Sequence, residues 1–263
     1  MKEERTSANI QEFWDSRAWL AYTSGSNDFI LKDIETDEIL KQIKNKPKIV
    51  LDVGCGNGET LIKIAKLKDC SGVGIDFSPK MVEVARQNAK NVGMDDKVIF
   101  EVEEVQNQDI ELYGFFDYAL TQRCLCNLTC VEDQRTAVEN IMDNLKSNGV
   151  YIMVEDCIQG HNRLNEVRRK VGLDPIDIYW FNLFLDEDEV AKWCNDKFFL
   201  ELGPISVAST YYFLSRVIYA KLEKEKGTKP EDLKYDSDIN MLAYKIKNMG
   251  NLGAPTMWLW RKR

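Results

Sequence analysis

The stretch from Lys48 to Gly58 reads KIVLDVGCGNG, and it decides the fold of this chain. Its first half, Ile49 to Val53, is a short and mostly apolar run, which is typical of a strand buried in a parallel sheet. The glycines that follow allow a tight turn, and residues 57 to 67 have the apolar spacing of a helix. Such a strand–turn–helix unit can bind a ligand, because the N–H groups at the start of the helix point outward.

Two acidic residues indicate which ligand this turn binds. Asp76 ends the next predicted strand, where a carboxylate can accept hydrogen bonds from both hydroxyls of a ribose. Asp52 lies inside the loop itself, and Glu59 replaces the third glycine of the dinucleotide fingerprint. Asp52 would repel a pyrophosphate, whereas it would attract an ammonium or sulfonium by about 4 kcal/mol at moderate dielectric. The pattern therefore indicates S-adenosylmethionine as the cofactor.

Composition narrows the classes of partner. The 263 residues carry a net charge of -8, and 44% of them are hydrophobic, so we expect one large domain with a full core. The acidic balance argues against a nucleic-acid partner, and we expect no membrane association and a cytoplasmic location. The seven cysteines suit reduced thiols. Cys124, Cys126 and Cys130 cluster, but with a single histidine in the chain no metal site is predicted.

The order of elements predicts an α/β fold with a doubly wound, mostly parallel sheet. Strands and helices alternate up to about residue 156, which implies right-handed crossovers with helices on both faces. Predicted strands cover residues 49–53, 72–75, 98–102, 115–121, 150–154, 198–204 and 255–260. Predicted helices cover residues 7–22, 33–43, 57–67, 78–92, 132–145, a stretch from about 186, 211–222 and 236–249.

Long segments beyond the fifth strand predict a cap over the site. We divide the chain into an N-terminal helical lid, residues 1–46, and a domain, residues 47–263, with cap insertions at about 156–196 and 205–254. Helical caps of this length favour a small enclosed substrate. The sequence leaves open whether the protein is a monomer or a homodimer.

Residues 47–156 resemble the class I S-adenosylmethionine-dependent methyltransferases. The stretch from Asp52 to Gly58 is similar to the family's first motif, Asp76 to its ribose-binding acid, and Phe77 to the residue that packs on adenine. Glu104 and Val105 match the segment that binds the adenine amino group. The resemblance implies a Rossmann-like sheet of seven strands, whose last strand runs antiparallel in a hairpin with the sixth. The cofactor-binding residues implied are Asp52, Gly54, Cys55, Gly56, Asp76, Phe77, Glu104, Val105 and Gln122.

A narrower similarity, over residues 121–128, Glu155, residues 162–168 and residues 182–183, is to bacterial methyltransferases that mostly act on small molecules. In-line methyl transfer needs alignment and exclusion of water, and a hydroxyl acceptor also needs a base within about 3 Å. Our first candidate for that base is His161, with Glu155 and Asp156 as competitors. Trp14 and Tyr22 of the N-terminal helix are candidate cofactor contacts. Candidate substrate contacts are Arg123, Arg163, Arg168, Tyr179, Tyr211 and Arg216.

Three functions stay open at this point. The first is O-methylation of a small polar metabolite, such as a sugar or sugar conjugate. The second is N-methylation of an amino sugar or amine, which needs no strong base. The third is a non-catalytic protein that binds S-adenosylmethionine as a sensor or partner. Glycines and acids that match the first motif favour the enzymes.

Overall fold

A single mixed sheet organises the fold, and its strand order matches the predicted class. The computed structural model describes residues 4–24, 26–44, 46–106, 115–193 and 196–263. Within these residues, seven strands pair in the order β3-β2-β1-β4-β5-β7-β6. All neighbours are parallel except β7, which runs antiparallel to both β5 and β6. The strands are β1 (Ile49–Val53), β2 (Ser71–Asp76), β3 (Val98–Val102), β4 (Phe116–Gln122), β5 (Leu145–Asp156), β6 (Phe198–Ser206) and β7 (Pro255–Lys262).

Helices flank this sheet and cover its carboxyl edge. Ser78 caps the fourth helix, since its hydroxyl accepts a hydrogen bond from the N–H of Met81 and Pro79 follows in the first turn. The helices are α1 (Ser7–Arg17), α2 (Phe29–Gln42), α3 (Glu59–Lys68), α4 (Pro79–Asn91), α5 (Val131–Asp143), α6 (Ile158–Lys170), α7 (Glu187–Ala191), α8 (Ser209–Tyr212), α9 (Ala220–Glu225) and α10 (Asp238–Lys245).

Three helical regions differ from the sequence-based expectation. Residues 7–22 are predicted as one helix, but α1 passes at Ala18–Thr23 into a 3-10 helix. The predicted helix 211–222 is longer, because α8 and α9 are joined by a π-helical segment, Phe213–Tyr219, within continuous right-handed helical backbone. Helix α6 was not predicted. Its buried face includes His161 and Asn165, and these polar residues interrupt the apolar period.

The sheet buries apolar side chains on both faces, as expected for strands covered by helices. One face packs Val50, Leu120 and Ile152 against helices α2 and α3. The other face packs Leu51, Ala119 and the neighbouring side chains that point to that face against α5 and α7. Alternation with period two along each strand explains this division.

The register brings four strand ends to one edge. Val53 of β1 pairs with Ile75 of β2 and with Thr121 of β4, and Thr121 pairs with Met153 of β5. Residues just beyond these positions therefore meet around a common cavity, which α1, α2 and the helices of both cap insertions help to enclose. The division into a lid and a capped domain stays a prediction. Within the described residues, no helix has both the length and the apolar content needed to cross a bilayer.

Candidate functional site

The glycine-rich turn after β1 forms the floor of the cavity. The N–H groups of Gly54 and Cys55 both donate to the carbonyl of Ile75, at 2.8 and 3.0 Å, which ties the turn to β2. Gly54 and Gly56 have φ of +71° and +52°, where glycine is favoured. A Cβ on Gly54 would lie 2.4 Å from Sγ of Cys124, whereas a Cβ on Gly56 would meet no protein atom within 4 Å. Gly56 therefore keeps space open that the protein itself does not fill.

Two buried carboxylates lie beside this turn. Asp76 accepts hydrogen bonds from the N–H groups of Gly56 and Ser78, both at 2.9 Å. Burial raises the pKa of Asp76 to about 6, against the effect of these two N–H groups. Burial, and then the charge of Asp76, raises the pKa of Asp52 to about 7. No hydrogen bond or ion pair from the described residues reaches the Asp52 side chain. The pair lacks a counter-charge, so a ligand with an ammonium or sulfonium group and a ribose fits this floor.

Asp52 makes the unliganded protein less stable as the pH rises. Its folded pKa of about 7 exceeds the ordinary value of 3.8, so the folded state holds a proton that the unfolded state releases between these values. Stability contributed by Asp52 is therefore present below about pH 4 and lost as the pH rises through about 7. We expect Asp52→Asn to be more stable than the parent protein by about 2–4 kcal/mol at pH 8 and by much less at pH 5.

Urea denaturation of both proteins without ligand, at the two pH values, measures this difference. Asn in place of the exposed Asp95 serves as the control, because its side chain is not buried. An unchanged gap between pH 5 and pH 8 would contradict a buried, uncompensated Asp52.

The far end of the cavity has the residues predicted for the adenine. Phe77, Glu104 and Val105 all line it, with Val105 buried and Glu104 exposed. The carbonyl of Val105 accepts a hydrogen bond from Asn140 at 2.9 Å, which holds this segment against α5. The Val105 N–H donates no hydrogen bond to the described residues, so it is available to a ligand.

Helix α1 covers this end of the cavity. The indole N–H of Trp14 donates to Oδ1 of Asn127 at 3.2 Å, and Trp14 lines the cavity. Phe13 stacks on Phe181 with ring centroids 4.3 Å apart, so α1 also holds the loop that follows α6. Tyr22 lies in the 3-10 helix after α1, but its side chain is outside the described residues.

A buried ion pair that the sequence reasoning missed orients the residues after β4. Glu35 of α2 has no exposed surface and accepts from Nε2 of Gln122 at 2.8 Å and from Nε of Arg123 at 3.1 Å. Gln122 in turn accepts from the hydroxyl of Thr60 of α3 at 2.8 Å, so α3, α2 and β4 share one network. The available signal was the position of Glu35, on the same helix face as the buried Leu31 and Ile39.

The cap encloses a second part of the cavity, which we call the cap lobe and which lies beyond the strand ends. The whole cavity has a volume of about 560 Å³. Arg216 of the π-helical segment is ion-paired with Asp28, and its guanidinium lies 4.9 Å from the ring centroid of Tyr235 and 5.4 Å from that of Tyr212. The cap lobe is lined by Arg123, Asp156, His161, Leu164, Ile176, Asp177, Tyr179, Trp180, Phe184, Tyr212, Arg216 and Tyr235.

Asp156 is a carboxylate of the cap lobe with one buried oxygen that no group in the described part of the chain binds. It ends β5, and its Oδ1 atom is buried without a hydrogen-bond partner among the described residues. Burial raises the pKa of Asp156 to about 7, with Arg123 lowering it and Glu35 raising it further. A carboxylate with a pKa near neutrality can exchange a proton with a bound molecule at physiological pH.

His161 also lines the cap lobe, but its hydrogen bonds constrain it. Burial lowers the pKa of His161, which favours the neutral ring. The N–H of Ile176 donates to Oδ1 of Asn165 at 2.8 Å, which turns Nδ2 of Asn165 toward Nε2 of His161 at 3.0 Å. In that network Nε2 is the acceptor, so we assign the ring proton to Nδ1.

Four candidate residues do not reach the cavity. The carboxylate of Glu155 accepts from the N–H groups of Cys124 and Cys126, at 3.1 and 3.3 Å, and so orders the loop after β4. Arg163 donates to the carbonyl of Asn251 and pairs with Glu187. Arg168 donates to the carbonyls of Asp174 and Arg216, and the Tyr211 hydroxyl donates to Asp28 at 2.7 Å. Arg163, Arg168 and Tyr211 therefore stabilise the cap, whereas Glu155 stabilises the loop after β4.

Comparisons with known proteins agree with this geometry. A family model described as "Methyltransferase domain" matches residues 44–197. Norajmaline N-methyltransferase from Rauvolfia serpentina is 40% identical over 80 residues, which is 30% of this chain and 27% of that protein. The chain therefore matches less than a third of the length of this relative.

Two solved structures share the fold over nearly their whole length. Magnesium protoporphyrin IX methyltransferase from Synechocystis PCC 6803, with bound S-adenosylhomocysteine, aligns with a TM-score of 0.62 and 16% identity, over 98% of this chain and 100% of that one. The N-methyltransferase NodS from Bradyrhizobium japonicum WM9, also with S-adenosylhomocysteine, aligns with a TM-score of 0.59 and 11% identity, over 97% and 98%. At these identities the likeness concerns the fold.

Proposed function

Because the chain belongs to the class I S-adenosylmethionine-dependent methyltransferases, we propose that it methylates a small polar molecule enclosed in the cap lobe, at a hydroxyl oxygen. The cofactor supplies an activated methyl group on a sulfonium, so the protein must align the acceptor, exclude water and remove the acceptor proton. The floor at Asp52, Gly54, Gly56 and Asp76 offers the complementary charge and space for such a donor.

One observation carries the hydroxyl proposal: Asp156 has a buried, unpartnered oxygen in the wall of the cap lobe. We assign the base to this carboxylate. His161 is less suited, because Asn165 occupies its acceptor nitrogen, and Glu155 is less suited, because backbone N–H groups occupy its oxygens. Enclosure of the cavity by α1 and the cap would limit loss of the methyl group to water.

A second candidate is N-methylation of an amine. Two features favour it: the aromatic side chains of the cap lobe, which suit a cationic or ring-bearing acceptor, and the similarity to a plant N-methyltransferase. An amine needs to lose only its ammonium proton before transfer, so this reaction depends less on a protein base.

Matched acceptors separate the two candidates. We would incubate the full chain with S-adenosylmethionine and pairs of compounds that share a skeleton but carry either a hydroxyl or an amine, for example cyclohexanol and cyclohexylamine, or glucose and glucosamine. Mass spectrometry of the products and formation of S-adenosylhomocysteine measure transfer. Turnover confined to the amine partner of each pair would contradict O-methylation. Tight binding of S-adenosylhomocysteine with no transfer to any acceptor would favour the non-catalytic alternative.

A further inference from the structure

We propose that the cap lobe recognises an acceptor that carries a positive charge, such as a protonated amine, and rejects acceptors that carry a carboxylate or phosphate. This inference rests on the proposed function, since it takes the cap lobe as the acceptor site. It goes beyond that function by naming the charge that the acceptor must bring, whichever of its atoms receives the methyl group.

The first argument is that protein groups already bind the cationic side chains around the cavity, and that three of these four side chains are paired with carboxylates. Arg123 donates to the buried Glu35, and Arg216 is paired with Asp28, which also accepts from the Tyr211 hydroxyl. Arg17 donates to the carbonyls of Thr23 and Ser24 at 3.1 Å each. Lys32, the remaining described basic residue of the lining, is paired with Glu59. An anionic acceptor would therefore have to break a buried pair to find a counter-charge, and this is costly.

The second argument is that negative charge remains in the cap lobe. Asp156 has a buried oxygen without a partner, and Asp177 lines the same lobe with no ion pair to any described residue. Arg123 and Arg216 contribute two positive charges to the lobe. Their partners Glu35 and Asp28, together with Asp156 and Asp177, contribute up to four negative charges. With all of these ionised the lobe carries two more negative than positive charges, which a cation would offset.

The third argument is the aromatic lining. Tyr179, Trp180, Phe184, Tyr212 and Tyr235 line the lobe. Two of these rings, Tyr212 and Tyr235, already lie within 5.4 Å of a guanidinium carbon, which shows that the lobe accommodates positive charge over aromatic faces. Carboxylates combined with aromatic rings are the chemistry that recognises organic ammonium groups.

Three probes of similar size but different charge test the charge preference of the cap lobe. Tyramine, 4-ethylphenol and 4-hydroxyphenylacetate share a hydroxyphenyl group but end in an ammonium, a methyl and a carboxylate. We would saturate the full chain with S-adenosylhomocysteine and measure the binding of each probe by calorimetry at pH 8, where Asp156 is ionised. We expect tyramine to bind about tenfold or more tightly than 4-ethylphenol, and 4-hydroxyphenylacetate to bind most weakly.

Two variants identify the source of the preference. Asp156→Asn removes the unpaired charge, so tyramine should lose most of its advantage over 4-ethylphenol. Glu35→Gln leaves Arg123 without its partner, so 4-hydroxyphenylacetate should gain affinity relative to the parent protein. Thermal unfolding confirms that each variant is folded.

Several results would overturn the inference: equal or tighter binding of 4-hydroxyphenylacetate by the parent protein, no binding of tyramine at millimolar concentration, or an unchanged order of affinities in both variants. These measurements use S-adenosylhomocysteine and require no turnover. A negative result would therefore contradict the charge preference without contradicting methyl transfer. Failure of S-adenosylhomocysteine itself to bind would instead contradict the cofactor assignment.

Discussion

Alanine at Gly54 is expected to destabilise the unliganded protein by about 2–4 kcal/mol, whereas alanine at Gly56 should cost only about 1–2 kcal/mol. Both positions have positive φ, so both substitutions strain the backbone. Only the methyl group at Gly54 also collides with a neighbour, the side chain of Cys124, which would lie 2.4 Å away. Urea denaturation without ligand measures the two free energies of unfolding.

Affinity for S-adenosylhomocysteine should separate the variants further. The methyl group of Gly56→Ala projects into space that no protein atom occupies, so we expect at least about a tenfold loss of affinity from a folded protein. The methyl group at position 54 would meet both Sγ and Cβ of Cys124, at 2.4 and 2.5 Å. Cys124→Gly removes both atoms, so in the Gly54→Ala background it should recover part of the stability that the collision removed, about 1–3 kcal/mol. Equal destabilisation by the two glycine substitutions, or no recovery in the double variant, would show that the turn is built differently.

Replacing Asp156 with asparagine is expected to lower kcat about 10²–10³-fold when the acceptor is a hydroxyl compound, with the affinity for S-adenosylhomocysteine unchanged. The base must be ionised to act, and burial raises the pKa of Asp156 to about 7. The rate of the parent enzyme should therefore fall as the pH drops through about 7. This limb of the profile should disappear in Asp156→Asn.

Several groups surround Asp156 and shape that profile. Arg123 lowers the pKa of Asp156, while Glu35 of α2 raises it, and Tyr212 and Cys126 lie within electrostatic reach. Glu155→Gln is the matched control on the same strand. It disturbs the N–H groups of Cys124 and Cys126, so it should cost about 1–3 kcal/mol of stability but leave the acid limb in place. An acid limb that survives in Asp156→Asn would point to the ionisation of an amine acceptor instead.

The sequence was most informative where backbone geometry restricts the residue type. The first motif, the cap at Ser78 and the strands at 49–53 and 98–102 follow from local rules, and the structure agrees with each of them. The antiparallel last strand followed from the family resemblance and is also present. The positions of their strands in the sheet then explain why Asp52, Asp76 and Asp156 line one cavity, because parallel strands bring their carboxyl ends to one edge.

Side chains whose roles depend on distant partners were harder to predict. Arg163 and Arg168 were proposed as substrate contacts, but backbone carbonyls of the cap bind their guanidinium groups. Arg123 does reach the cavity, but it is paired with Glu35. These two residues are 88 positions apart along the chain, so no local sequence pattern predicts their pairing. Helix α6 is not predicted from the sequence, because a helix beside a polar cavity needs no continuous apolar stripe.

The conformation of the cap depends on the number of residues in the π-helical segment. A wider turn inserts one residue relative to a regular α-helix, and Arg216 sits within it. Deleting a single residue there would restore regular winding, leave α9 in nearly the same orientation, and change which side chain stands at the position of Arg216. Relatives that differ by one residue at this point would thus present another side chain to the acceptor, so that substrate choice could diverge through an indel while the sheet beneath stays the same.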